Sequence, residues 1–257
     1  MAVSTTATEE EFTCTHATRY ALPGPATPIG RPLSDAAQQE KDRMDIFHKL
    51  FLVARRESLH QAPVVPSYGP RILDLGCGTG IWAIDMAEHL KPGYGWIEQV
   101  EIDLEPRCDD GTLPPNSPLV QWYQYVADAT ERASRPLAYN HNTRQMLQMA
   151  GFIDIQETII RAPYNSWPAD PHQKEIGRWY NLGICEGLEA LSLAPLTRIY
   201  RWDAAQHVKP LVDQAIRQIR TKKIHAYNNM WVHSLAGGLH LVLTCIRHIW
   251  TARRPGH

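Results

Sequence analysis

The chain has almost no surplus charge: 26 basic residues against 27 acidic ones leave a formal net charge of −1. That balance supplies no long-range field to draw in nucleic acid or anionic lipid, so direct nucleic-acid and membrane partners are not expected and a small neutral or mixed partner fits better. Paired cysteines are also missing. The five cysteines, at 14, 77, 108, 185 and 245, are odd in number and show no metal-ligand spacing, which argues against a disulfide framework or zinc site and for a reducing compartment. The amino terminus carries Glu9, Glu10 and Glu11 and no basic start followed by an apolar run, so no secretory signal is read. The apolar stretch 232–250 is interrupted by His233, His240, Arg247 and His248, which speaks against a spanning helix. No internal repeat is seen. A cytoplasmic or nuclear location is expected, and 44% hydrophobic content in 257 residues suffices for a sizeable core.

What is present falls into three parts: a Thr-, Ala- and Pro-rich arm at 1–33 with no periodicity, a main domain at 34–232, and a tail at 233–257. Ser34 is a capping candidate for a long amphipathic helix that carries Met44, Ile46, Phe47, Leu50, Phe51 and Val53 and ends near Leu59. Ile72 to Leu75 reads as a short buried strand, Ile81 to Leu90 as a helix, and Trp96 to Leu104 as a second strand that Pro106 stops. Helices are predicted over 119–133, 143–150, 171–193 and 203–223, with a strand over 152–160.

The most informative run is Ile72-Leu-Asp-Leu-Gly-Cys-Gly-Thr-Gly80. Glycines 76, 78 and 80 let a chain leaving a strand bend sharply and bring its backbone close to a ligand at a helix start with free N–H groups. Their place between an apolar strand and an apolar helix favours cofactor binding over a purely structural turn. Only Thr79 separates the last two glycines, whereas the dinucleotide fingerprint has two residues there.

With Asp74 just ahead of it, this run resembles motif I of the class I S-adenosylmethionine-dependent methyltransferases. That resemblance implies that the turn passes the methionine part of S-adenosyl-L-methionine and that Asp74 helps orient its amine. The resemblance narrows with residues 72–88, Trp96-Ile-Glu-Gln-Val-Glu-Ile102, Arg107-Cys-Asp-Asp-Gly-Thr112, Ala150-Gly-Phe152, Asn165-Ser-Trp-Pro168, Leu196-Thr-Arg198 and Ile224-His-Ala-Tyr227. Together they resemble the LaeA-like methyltransferases of filamentous fungi, over about 35–232. Members of that family are tied to secondary metabolism, as regulators acting with velvet-type proteins or as products of biosynthetic clusters. The implied fold is α/β, a Rossmann-like methyltransferase sheet, here truncated, with helical additions at 34–59 and 171–223. The implied partner is a small-molecule substrate or a regulatory protein.

The chain departs from that pattern after the glycine turn. Lys91-Pro-Gly-Tyr-Gly95 resembles the loop that normally precedes the family's fifth strand, so the second to fourth strands and their helices are expected to be missing. Strand one would then lack neighbours on one side. Glu101 and Asp103 lie near the offset at which the dinucleotide rule places a ribose acid, and either could hold the ribose if their strand sat beside strand one; otherwise both are ordinary strand and loop acids. The tail, running through Gly237-Gly-Leu-His-Leu-Val-Leu243, also differs from the short ending of the relatives.

Other residues admit two readings. His225 and Tyr227 are either an acid–base pair or a packed strand end. Trp122, Tyr123, Tyr125, Trp179, Tyr180 and Trp202 either wall an apolar pocket or, the favoured reading, pack between helices. Cys77 reads as a small buried residue and His141 as a polar loop residue. Asp109-Asp110 reads as a solvated turn rather than a metal site. No metal and no catalytic base is assigned. Besides methyl transfer, two further functions stay open: an inactive relative that binds a regulatory protein, and a binder of an apolar biosynthetic intermediate.

Overall fold

The computed structural model describes residues 35–61, 72–74, 85, 96–149, 153–236 and 242–246. The arm at 1–33, Gly76, Cys77, Gly78 and Gly80, the predicted helix 81–90 apart from Asp85, Gly151, and the last residues of the tail lie outside the described residues. In chain order the elements are α1 (Asp35–Ala54), β1 (Ile72–Asp74), β2 (Trp96–Cys108), α2 (Pro118–Arg132), α3 (Thr143–Met149), β3 (Ile153–Pro163), α4 (Pro171–Ile199), a π-helical turn (Ala204–Val208), α5 (Lys209–Ile219), β4 (Ala226–Ala236) and β5 (Val242–Ile246).

The strands form one mixed sheet in the order β1-β5-β2-β4-β3. β1 and β2 each pair with β5 in parallel, while β2 and β3 each pair with β4 antiparallel. The domain boundary expected at 232 falls inside β4, and β5, from the tail, is an interior strand.

One face of the sheet carries Val100, Ile102 and Leu104 of β2 with Met230 and Val232 of β4, all buried. Helix α4 supplies Ile176, Tyr180, Ile184 and Leu188 to the same core, a spacing of three or four residues that keeps them on one side. Asp170 caps α4 by accepting from Gln173 N at 2.7 Å, and Pro171 occupies its first turn. The helix runs past its predicted end at 193, through Pro195, because Pro195 and Leu196 are themselves buried. In α2, Leu119, Trp122, Val126 and Ala129 face the core, and Trp122 Nε1 donates to Ser192 Oγ at 2.8 Å. α5 contributes Val212, Ala215 and Ile219.

Two glycines in α4 permit close approach. A Cβ at Gly177 would lie 2.2 Å from the Asn165 carbonyl oxygen, and one at Gly183 would lie 3.1 Å from the Phe47 ring of α1. Helix α1 is shorter than predicted: it stops at Ala54, and Arg56 and Glu57 take positive φ of 55° and 63° as the chain turns. At the start of that turn Arg55 is paired with Glu98 of β2, with both side chains sealed from solvent, and Glu98 also accepts from Gln61 N at 2.5 Å. Burial lowers the Arg55 pKa while the Glu98 charge opposes the shift. This pair joins α1 to the sheet.

Pro106 does not stop β2. The strand continues to Cys108 because the register against β4 slips between Asp103 and Arg107, and Pro106, with no N–H to give, sits within that irregularity. Buried Asn228 opposes the slip: its Nδ2 donates to Glu105 O at 2.8 Å and its Oδ1 accepts from Tyr180 Oη at 2.6 Å. Arg107 braces the same turn, 2.7 Å from Asp103 and 2.9 Å from Glu105.

Candidate functional site

Three strands, β1, β5 and β2, run parallel, so their carboxyl ends share one edge of the sheet. Ligands of open α/β sheets bind outside that edge. β1 reaches it at Asp74, and the next residues of the sequence are Leu75 and the Gly76-Cys-Gly-Thr-Gly80 run. Asp74 thus ends a strand paired in parallel, and the glycine-rich run that resembles motif I follows it in the sequence.

The ribose expectation for Glu101 and Asp103 rested on their strand lying beside β1, and the topology corrects that premise. β5 stands between β1 and β2, because its two open edges pair with both. Asp74 and Glu98 are each level with Thr244, so Asp103 lies roughly 16 Å further along its strand at ~3.3 Å per residue. Asp103 is buried, faces Arg107 and accepts from Glu105 N at 3.2 Å, while Glu101 is buried opposite Trp231.

A second cluster forms where three of the resembling motifs meet, far apart in sequence. In the loop after β2, Asp110 Oδ2 lies 2.5 Å from His225 Nδ1, and Thr112 Oγ1 accepts from His225 N at 2.8 Å. Tyr227 Oη donates to Asp109 at 2.8 Å, and Arg161 of β3 bridges the same carboxylate at 2.9 Å while lying 4.6 Å over the Tyr227 ring. The Trp167 ring stacks on His225 at 4.7 Å, and its Nε1 donates to Ala226 O at 3.2 Å. Hydrogen bonds from the Thr112 hydroxyl, then from His225, the Thr112 N–H and Cys108, hold the Asp110 carboxyl well below the usual carboxylate range. Gly111, at φ 74°, supplies the bend of this loop.

The Asp109-Asp110 turn is therefore a clasp rather than simply solvated: it pins the loop after β2 to β3 and β4. His225 and Tyr227 are both engaged in it. Counting along β4, whose Ser234 and Ala226 pair with Glu98 and Cys108, gives roughly 26 Å from the level of Asp74 to Cys108 at ~3.3 Å per residue, so these side chains lie well beyond the level of Asp74. Among the described residues no group of His, Cys, Asp or Glu has metal-binding geometry.

Trp122 packs between helices, as the favoured reading expects, whereas Tyr180 faces Asn228 of β4 and Tyr125 is exposed. Trp122 and Tyr180 are buried in the core, and Tyr125 meets Trp202 and Tyr200 edge-on at 4.9 and 5.9 Å. On the other sheet face Tyr139 stacks on Trp231 at 4.8 Å, and buried His233 lies 3.2 Å from Tyr139 Oη and 3.0 Å from Glu157. His141 is exposed at the rim of that stack, 5.0 Å from the Tyr139 ring. Sequence reasoning missed this stack and the Arg55–Glu98 pair; a lone acid inside the apolar run Trp96-Ile-Glu-Gln-Val100 was the available signal for the latter. No helix among the described residues is long and apolar enough to cross a membrane.

No family model matches the chain. It is 50% identical to the secondary metabolism regulator LAE1 of Cochliobolus heterostrophus, over 85% of this chain and 88% of that protein. It is 36% identical to the secondary metabolism regulator laeA of Aspergillus niger and to the protein-methionine methyltransferase laeA of Emericella nidulans, in both cases over 85% of this chain and 71% of the relative. The first alignment spans 287 positions, more than the 257 residues of the chain it only partly covers, so that relative carries a stretch with no counterpart here. With identity of this level along most of both proteins, the chain belongs to the LaeA-like methyltransferase family, whose members named here are two secondary metabolism regulators and a protein-methionine methyltransferase.

Proposed function

We propose that this chain is an S-adenosylmethionine-dependent methyltransferase acting in fungal secondary metabolism or its regulation, in the cytoplasm or nucleus. The observation that carries the reading is that β1, paired in parallel with β5, ends at Asp74, after which the sequence continues into three closely set glycines. The sheet is read as a shortened Rossmann-like methyltransferase sheet. Asp74 and the backbone of Gly76, Gly78 and Gly80 would hold the methionine end of the cofactor, which supplies an electrophilic methyl group on a sulfonium. Asp103, engaged with Arg107, supports the bend of β2 first; with Glu101 it is tested below as a ribose ligand.

The acceptor is a small molecule or a regulatory protein, and the name of the Emericella nidulans relative favours a protein methionine. A thioether carries no proton to remove. Transfer to it therefore depends on alignment of acceptor and donor, and the chain's task is to position them and exclude water. The test is incubation with methyl-tritiated S-adenosylmethionine and candidate acceptor proteins, comparing the parent with Gly78→Val, Glu101→Ala and Asp103→Ala. Label transfer by the parent, lost in Gly78→Val, supports the reading; no transfer by folded protein to any acceptor contradicts it. Retention of full transfer in both acid variants removes them from the cofactor site.

The stretch absent relative to LAE1 favours a second reading, an inactive relative that binds a regulatory protein. Cofactor binding without transfer to any acceptor, together with capture of such a partner, would select it.

A further inference from the structure

We infer that β5 is the element that anchors β1, and with it Asp74, to the sheet, taking the place left between β1 and β2 by the stretch this chain lacks, and that S-adenosylmethionine binding depends on this anchoring. β1 is three residues long, stands at the end of the strand order, and makes its strand pairing to β5. A strand that short has no independent stability, and parallel pairing is slightly weaker per residue than antiparallel. Whatever fixes β1 therefore fixes the residues that leave it.

The register makes the role specific. Ile72, Leu73 and Asp74 face Val242, Leu243 and Thr244, and Leu243 to Ile246 then face Ile97 to Val100 of β2. β5 is thus paired on both sides, and it ends at Ile246, two residues beyond the level of Asp74. Its sequence, Val242-Leu-Thr-Cys-Ile246, is the apolar, β-branched kind that a strand buried between two neighbours needs. The backbone groups that strand one was expected to leave unpaired on one side are satisfied by the carboxyl-terminal region, which thereby becomes a positioning element for the cofactor turn. The consequence for cofactor binding rests on the methyltransferase reading; the strand placement does not.

The test uses the full chain in two forms. Leu243→Pro removes an N–H from a strand paired on both sides. Amide exchange read by mass spectrometry is expected to accelerate at 72–74 by on the order of 100-fold, while β3, β4 and α4 stay protected. Unchanged protection at 72–74 overturns the inference. Gln99→Cys places a thiol at the register partner of native Cys245. Mild oxidation is expected to give a 99–245 disulfide, and Ile97→Cys, one pleat away, is not; failure of Gln99→Cys in folded protein overturns the inference even if Leu243→Pro should unfold globally. Calorimetry with S-adenosylmethionine separates the two ideas. A parent that binds and a Leu243→Pro variant at least tenfold weaker supports both; a parent that does not bind, with the exchange and disulfide results as expected, defeats the cofactor reading and leaves the strand assignment standing.

Discussion

The two halves of the sheet are built to different standards. β2, β4 and β3 pair along long antiparallel ladders, Trp96 to Asp103 against Ala236 to Asn229 and Gln156 to Pro163 against Ser234 to Tyr227, with α2 and α4 against their buried face and α5 packed on those two helices. β1 and β5 pair over three residues, and β5 meets β2 over Ile97 to Val100. The half that carries stability is thus not the half that carries the glycine turn. A protein divided in this way can lose the pairing of its parallel edge and remain folded, because the core contacts lie elsewhere.

Alkali should break the robust half first. Burial, with the charges of Asp103 and Glu105, pushes Tyr123 up to about 12, and burial also raises Tyr139, Tyr164 and Tyr180. Below about pH 10 these phenols are protonated in both states. Above it the unfolded chain releases protons that the folded chain retains, so stability falls as pH rises. Tyrosinate absorbance and loss of circular dichroism should therefore rise together above pH 10; tyrosines that ionise near 10 in a chain that stays folded would contradict this.

Trp122→Ala removes a fully buried ring and its bond to Ser192, and should cost about 4 kcal/mol in urea denaturation. Arg55→Ala leaves Glu98 sealed without its cation and should cost about 3 kcal/mol by the same measurement, acting where α1 meets β2. Tyr227→Phe only loosens the clasp, since its partner Asp109 is exposed, and should cost about 0.5 kcal/mol with label transfer unchanged. A large loss of transfer in Tyr227→Phe would instead place the clasp beside the reacting groups.

How much of this the sequence disclosed depends on how local the cause was. β1, β2 and the helices follow from short-range apolar patterns. Pro106 misled because the rule that proline ends a strand holds for a regular ladder, whereas here Asn228, contributed from β4, satisfies the displaced backbone. The Asp110–His225 contact was illegible because its members are 115 residues apart, although both motifs had been noticed singly. The place of β5 was equally hidden: the apolar run in the tail does not disclose its neighbours, and whether Glu101 and Asp103 lie beside β1 is a condition that sequence spacing alone leaves open.

The most direct measurement is titration of the folded, full-length chain with S-adenosylmethionine in a calorimeter, with Gly78→Val alongside. Micromolar binding by the parent and none by the variant is the predicted result. Heat changes at the level of dilution in a parent whose antiparallel half is demonstrably folded would contradict the claim that the parallel edge is a cofactor site.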